Sequence, residues 1–525
     1  MSNNNLNLFL VLLAIMKHKL DSSYLDIAII CFGIVGMIFS HAIMSFAMVF
    51  MALRFVFADK SRIKSYSKDV LIAIFSFFAL ICLGMIWSDW SNDAWKQLEK
   101  SLPFLIVPLY FLNLPLQEGK NLKIYAWAYL ASLFVATGIG MFNLLTIENP
   151  DVRTIMPFCS HIRFALHLTL ASSFIVYYCF EHKKYLLLLL AFWFEAYMLI
   201  TAAMTGIIIS FIIIFFVLPT YFLITKKRKK AFAIFLSAFI VALFAVFSCI
   251  SYYYKDYFVP KNGEVKEDMM IENGNYIFEA IDYSQMQEGV EKYLKEDKNA
   301  VCKSREGEFA YIDIAIRYLN SKGYEKNLKG WEKLSSEDLE NIKNGIPNYV
   351  YAQKTPLKSR LYSTFYEIEA YKKEDKVKGS SMIQKIELWE NSLLIIKNNL
   401  LIGVGTGKAP QELKKQLQSI DSPLADTNMR THNQYFSIVF SYGILGFLVW
   451  IGFLLYPMFK LSLNKNPYYI IFLAIMLISF LSEDTLDNQA GIMMYCCWNF
   501  FFVSQSKKIK QRKKYFFLCF KKLFL

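Results

Sequence analysis

Apolar and polar positions along this chain come in long blocks rather than in the short periods of a water-soluble fold. Apolar runs fall near 25–40, 42–58, 69–87, 103–113, 124–145, 163–180, 185–202, 206–225, 232–251, 433–456, 468–482 and 489–504. Most are close to the roughly 20 residues that a helix needs to cross a bilayer. The pattern predicts an all-α polytopic membrane protein of about twelve transmembrane helices, the fourth run being short and flanked by proline. The opening stretch, MSNNNLNLFLVLLAIMKHKL, lacks a small-residue cleavage site and is followed by charge, so it reads as a cytoplasmic or interfacial lead-in and not as a secretory signal.

The polar blocks set the expected topology. DKSRIKSYSK, EHKK, KKRKK at 226–230, the 460–465 connection and the tail KKIKQRKK are basic, and short basic loops stay in the cytoplasm. Alternation then places both termini in the cytoplasm, and the loops around 88–102, 146–162, 252–431 and 483–488 outside. The expected division is 1–251, about nine membrane helices; 252–431, a large, mainly helical periplasmic loop; 432–504, about three membrane helices; and 505–525, a basic tail. The loop is too long and polar for a connector, and SSED at 335–338 ahead of LENIKNG is a helix-start signal.

Composition sharpens this picture in two places. The net charge is +14, yet residues 252–391 hold 22 basic against 25 acidic residues, while the rest of the chain holds 35 against 18. The basicity therefore marks cytoplasmic membrane surfaces and gives no ground for a nucleic-acid partner. Nine cysteines, mostly within apolar runs, include no C-x-x-C pair, so they read as packing residues.

Ionisable residues beside membrane segments on the outer side are few, and their cost makes function the first hypothesis. Arg163, in CSHIRFALHLTLA, fits either an interfacial anchor or a two-pronged clamp for a phosphate or diphosphate. His432, in MRTHNQYFSIVFSYGILG, precedes the tenth segment, where the positive end of the helix dipole favours a neutral imidazole able to accept a proton. The bland alternative is an interfacial histidine bonded to a loop carbonyl, with Asn433 capping the helix. Should His432 not be the base, the acidic residues of the outer loop are the next candidates for one, beginning with Glu367 and Glu369. Residues 380–410 read as an amphipathic helix running into a glycine turn at Gly403, Gly405 and Gly407. A phosphate-binding P-loop is excluded, because Ile402 stands where its first glycine belongs and Ala409 follows Lys408. The glycines instead suit a turn with positive φ that brings two backbones close. His161 and His432 have no Asp, Glu or Cys at metal-ligand spacing, so no metal is expected.

The order GVGTG, some two dozen residues, then HNQYFSIVFSYGILG resembles the O-antigen ligase family, which shares its membrane domain with O-antigen polymerases. The family pattern of His, Asn, nine residues and GxxG is matched by His432, Asn433, Gly443 and Gly446. HIRF at 161–164, the large outer loop and its stretches YLNSKGYEKN and LSSEDLENIKNGIPNYVY extend the likeness over most of the chain. The resemblance implies a GT-C-like, inverting glycosyltransferase in the bacterial inner membrane with a periplasmic active site. It would use no metal, nucleotide sugar or other cofactor, and would move a glycan from undecaprenyl diphosphate to a hydroxyl of lipid A-core. By position, His432 would be the base and Arg163 would hold the diphosphate, with Arg360, Arg430, Lys385 and Lys100 as further cations. Two positions depart from the family: Lys385 stands in QKIELW where related chains commonly carry Arg, and Met204 stands in LITAAMTG where Arg is frequent. A polymerase of the same superfamily and a lipid or solute transporter are the alternatives. A transporter would call for inverted repeats or paired broken helices, and the sequence has no such symmetry.

Overall fold

The computed structural model describes residues 22–511 except 118, 148–154, 157, 225–226, 228, 262–265, 267, 305–306, 354, 375–380 and 426–428. The lead-in and most of the basic tail lie outside the described residues.

Each of the twelve apolar runs is helical over most of its length. The first nine form α1 (Ser22–Phe39), α2 (His41–Phe57), α3 (Lys68–Gly84), then after the short polar α4 (Asn92–Ser101) come α5 (Pro103–Asn113), α6 (Gly119–Thr146), α7 (His161–His182), α8 (Leu188–Ile200), α9 (Met204–Ile224) and α10 (Lys229–Phe258). Among the described residues, six helices combine the length and apolar composition of a membrane span: Lys68–Ser88, Gly119–Thr146, His161–His182, Met204–Ile224, Lys229–Phe258 and Gln434–Lys460. Four further apolar helices are shorter. One continuous core runs from Ile29 on α1 to Val503 near the chain's end, so the early and late membrane segments are a single bundle.

The polar insert is a small folded unit of its own. It contains the hairpin β1 (Ile271–Glu272) and β2 (Asn275–Tyr276), then α11 (Tyr283–Gly289), a second hairpin of β3 (Val301–Ser304) and β4 (Gly307–Ala310), and α12 (Tyr311–Lys322), α13 (Leu328–Glu332), α14 (Ser336–Lys343), α15 (Tyr349–Ala352) and α16 (Pro356–Glu374). The β1–β2 turn is Asn273–Gly274, both at positive φ, the dipeptide that a two-residue hairpin turn requires. SSED begins α14 with a reciprocal capping box between Ser335 and Asp338. At its centre Arg317 grips the fully buried Glu272 with two hydrogen bonds of 2.9 and 3.2 Å, and its guanidinium lies 3.5 Å over the Tyr366 ring. Removing one partner of such a pair costs about 3–5 kcal/mol, because the other is left buried and unpaired.

Two connections tie the insert to the bundle. At 30 residues α10 is about 45 Å long, more than the hydrocarbon thickness, so its last turns emerge. There Tyr257 packs on Tyr362 and Phe365 of α16, and Asp256 pairs with Lys358 at 3.3 Å. On the other side α17 (Ser381–Asn398) and α18 (Ala409–Ser419) form an apolar cluster with Phe440 of α19 (Gln434–Lys460), which α20 (Pro467–Ser479) and α21 (Gln489–Gln511) follow.

The basic-loop topology has a direct test. Cysteine introduced at the exposed Glu337, in a background lacking native cysteines, is expected to react with a membrane-impermeant maleimide in intact spheroplasts. Cysteine at the exposed Lys184 should react only after permeabilisation. The reverse labelling pattern overturns the assigned sides.

Candidate functional site

The two glycine motifs meet in space. Gly443 adopts φ 63° and ψ −169° inside α19, a conformation open essentially to glycine alone, and it breaks the helix. The backbone groups freed by the break are taken up by the turn after α17. Val404 and Gly405 donate to the carbonyls of Phe440 and Ser441 at 3.0 and 2.9 Å, and Ile444 and Leu445 donate to Leu400 and Leu401 at 2.8 and 3.3 Å. The approach is so close that a Cβ on Gly443 would lie 2.3 Å from the Leu401 carbonyl, and one on Gly403 2.4 Å from Ser441. Gly405 and Gly407, also at positive φ, pass close to Gly84 and Asp93, where an added Cβ would lie 2.9 and 2.6 Å away, while the Thr406 hydroxyl donates to the Ile81 carbonyl at 2.7 Å. Gly446, one turn beyond the break, faces Leu80 of α3. GVGTG thus fastens α3, α4 and α19 to one another.

That fastening positions α17, and α17 positions the chain before α19. Trp389 donates its indole N–H to the Thr431 carbonyl at 2.7 Å and sets its ring edge-on to Phe436. Asn433 caps α19, its side-chain oxygen accepting the amides of Tyr435 and Phe436 at 3.0 and 3.2 Å. His432 lies immediately before the cap at φ 50°, a left-handed conformation uncommon for a residue other than glycine. What holds it there is Asp484. One carboxylate oxygen accepts the His432 amide at 2.9 Å; the other takes the Asn433 amide at 3.0 Å and the Ser437 hydroxyl at 2.7 Å, with the Thr431 hydroxyl 3.0 Å away. The backbone is pinned while the partly exposed imidazole has no hydrogen-bond partner among the described residues, so its nitrogens are open to a ligand.

Asp484 belongs to the segment SEDTLD between α20 and α21, which carries two more acids. Glu483 is buried and receives two cations, Lys385 Nζ at 3.5 Å and Arg163 Nη2 at 3.9 Å; Lys385 also donates to the Ser482 carbonyl at 2.8 Å. Asp487 pairs with Arg430 at 3.2 Å. The Asp487 side chain keeps 23% of its surface accessible, yet burial is the largest influence on its carboxyl and pushes it above the ordinary carboxylate range. Arg430 pulls it down, Asp484 pushes it up, and Gln434 and Lys100 pull it down. Lys100, in the last turn of α4, therefore also acts on this group through its charge.

His432, Arg430, Lys100, Lys385 and Arg163, which lie far apart in the chain, are thus gathered around one acidic loop. Arg360 joins from α16: it pairs with Glu367 at 3.8 Å, and its charge and that of Arg163 both reach His161 at the mouth of α7. Beside His161 is a small pocket of about 10 Å³ lined by Ile155, Met156, Phe164, Tyr197, Thr201 and Ala203 among others; Met204 is the next residue after that wall. Glu369 serves the insert instead, accepting the Ile271 amide at 3.2 Å and pairing with Lys373 at 3.0 Å. Sequence reasoning passed over Glu483, Asp484 and Asp487. Their signal was there, three acids in six residues between two apolar runs, at the depth where ionisable groups are costly. No cluster of His, Cys, Asp and Glu suited to holding a metal ion occurs among the described residues.

The fold and site define a helical membrane protein with a loop segment clamped onto a broken helix beside a cluster of paired charges. The family model described as O-antigen ligase matches residues 326–451, which contain α17, the glycine turn, His432 and the break at Gly443. This match supports assigning the chain to the O-antigen ligase family. A Haemophilus influenzae protein described as uncharacterized is 25% identical over 125 residues, which is 24% of this chain and 31% of that relative's own length.

The interlock sets a stability prediction. Gly443→Ala must place a side chain at a strained φ and against the Leu401 carbonyl, so it is expected to destabilise the protein by about 3 kcal/mol or more. Gly452→Ala, in open space on the same helix, should change little. Thermal unfolding of both variants in detergent checks this, and equal melting temperatures would refute it.

Proposed function

We propose that this protein is a glycosyltransferase of the ligase type, moving a glycan from a polyprenyl diphosphate carrier to a hydroxyl of lipid A-core on the periplasmic side of the inner membrane. The observation that carries the reading is His432: its main chain is locked by Asp484, its imidazole has no partner among the described residues, and the carboxylates on either side of Asp484 in the same loop, Glu483 and Asp487, hold Lys385 and Arg430. In this mechanism His432 takes the proton of the acceptor hydroxyl. The hydroxyl oxygen attacks the anomeric carbon from the face opposite the diphosphate and inverts it. The carbon–oxygen bond to the diphosphate breaks, and its electron pair leaves with the phosphate. General-base assistance of this kind contributes typically about 10²- to 10⁴-fold.

The diphosphate needs fixed positive charge as it departs. Arg163, Lys385, Arg430 and Lys100 supply it, and each of the first three has a carboxylate holding it in place. A diphosphate arriving here competes with Glu483 and Asp487 for cations that are already oriented, so little ordering remains to be done on binding. Lys385 gives a point charge where related chains commonly have a two-pronged guanidinium, which leaves Arg163, on the same Glu483, as the bidentate group of the pair.

Transfer by purified protein, supplied with carrier-linked glycan and lipid A-core, tests the reading. His432→Asn keeps a side chain that tolerates the left-handed backbone but cannot act as a base. Membrane insertion and melting temperature should match wild type while transfer falls by roughly 10²-fold or more. Wild-type specific activity in this variant rules out the base role, and chain growth on carrier-linked glycan alone would make the protein a polymerase.

Arg163→Lys keeps the charge but loses the fork. Donor use is expected to fall by about tenfold or more with unchanged protein levels, against full activity if Arg163 is only an interfacial anchor.

A further inference from the structure

A partly open apolar cavity of about 140 Å³ lies between α1, α6, α7 and α21. Its walls include Ile34, Tyr125, Tyr129, Phe174, Tyr178 and Trp498. On α7 the lining runs from Ala171 to Tyr178, near the end of the helix, whereas Arg163 is in its first turn. On α6 the lining runs from Leu122 to Leu130, in its first half. Two of the lining tyrosines turn their hydroxyls to partners: Tyr125 donates to Gln117 at 2.9 Å, and the Tyr129 hydroxyl meets His167 at 2.9 Å. The cavity therefore offers ring faces and aliphatic carbon, a surface that water does not fill and apolar ligands do.

The end of the cavity that the basic-loop topology assigns to the cytoplasm is basic. Lys120 and Lys123 flank the lining residue Leu122, and Lys183 and Lys184 lie between the lining residues Tyr178 and Leu187. None of the four lysines is paired with an acid among the described residues; the sequence places two carboxylates near them, Glu118 ahead of Lys120 and Glu181 ahead of Lys183. We propose that this cavity binds one molecule of an anionic phospholipid, an acyl chain filling the space beside Phe174 and Trp498 and the phosphate resting on the four lysines. Lysines at a membrane surface each favour an anionic headgroup, and a chain inside the bundle completes packing that the helices leave open. The site is separate from the groups assigned to glycan transfer and does not rest on that assignment.

Native mass spectrometry of the full-length protein tests it, after delipidation and incubation with equal amounts of phosphatidylglycerol and phosphatidylcholine of identical acyl chains. One retained phosphatidylglycerol is expected, with a preference of about tenfold over phosphatidylcholine. Ala126→Trp, which fills the cavity, should abolish retention, and a quadruple change of Lys120, Lys123, Lys183 and Lys184 to Gln should remove the preference but not the binding. Undiminished retention by a folded Ala126→Trp protein, or equal retention of the two lipids by wild type, overturns the proposal. A photoactivatable phosphatidylglycerol gives a check independent of any substitution. Labelled peptides should come from 171–178 and 498–502, and labelling confined to lipid-facing residues such as Phe244 or Phe247 of α10 counts against the site.

Discussion

A helix interrupted inside a membrane bundle must find partners for the backbone groups it releases, because hydrocarbon offers none. In α19 the interruption is at Gly443, and the groups are satisfied by a second stretch of backbone, residues 400–405, laid against the break. The match depends on two glycines facing each other, Gly403 and Gly443, since a Cβ on either would fall within 2.5 Å of the opposing chain. From this contact the arrangement of the site follows. It fixes the end of α17, α17 presents Trp389 and Lys385, and Trp389 holds the carbonyl of Thr431 next to His432.

The second organising feature is the division of work among three carboxylates on one short loop. Asp484 binds neutral donors and shapes the backbone; Glu483 and Asp487 bind cations. The backbone of this loop is zipped to α19 as well, through Gln434, whose amide donates to the Phe480 carbonyl at 2.8 Å and whose side chain accepts the Leu486 amide at 2.6 Å. Charges near a bilayer are costly alone and tolerable in pairs. Because the cations are paired before any ligand arrives, they can be kept at high density beside one histidine without the self-repulsion that free cations would suffer.

How the insert relates to this site follows from two different kinds of attachment. Its hydrophobic centre, with Trp331 stacked on Tyr293 and Arg317 locked on Glu272, is independent of the membrane bundle. Its last helix, α16, reaches the aromatic end of α10 and carries Arg360 to the mouth of α7. The insert is therefore joined to the site twice, by α16 with Arg360 and by α17 with Trp389 and Lys385.

The sequence by itself determined the helices, because block hydropathy is a local property: all twelve apolar runs are helical, and the SSED cap and the positive-φ glycine turn stand where the residues indicated. It also singled out His432, since an ionisable residue before an apolar helix is visible without knowing its neighbours. Only the tertiary structure decided which charges belong together. Arg163 and Glu483 are 320 positions apart, and a pairing across that distance leaves no periodic trace in the chain. SEDTLD looked like a connector because its meaning lies in the four donors that meet Asp484 and in the cations that other elements bring to Glu483 and Asp487. The helix break was hidden for the same reason: Gly443 sits in a continuous apolar run, and only the turn packed against it allows the helix to open there.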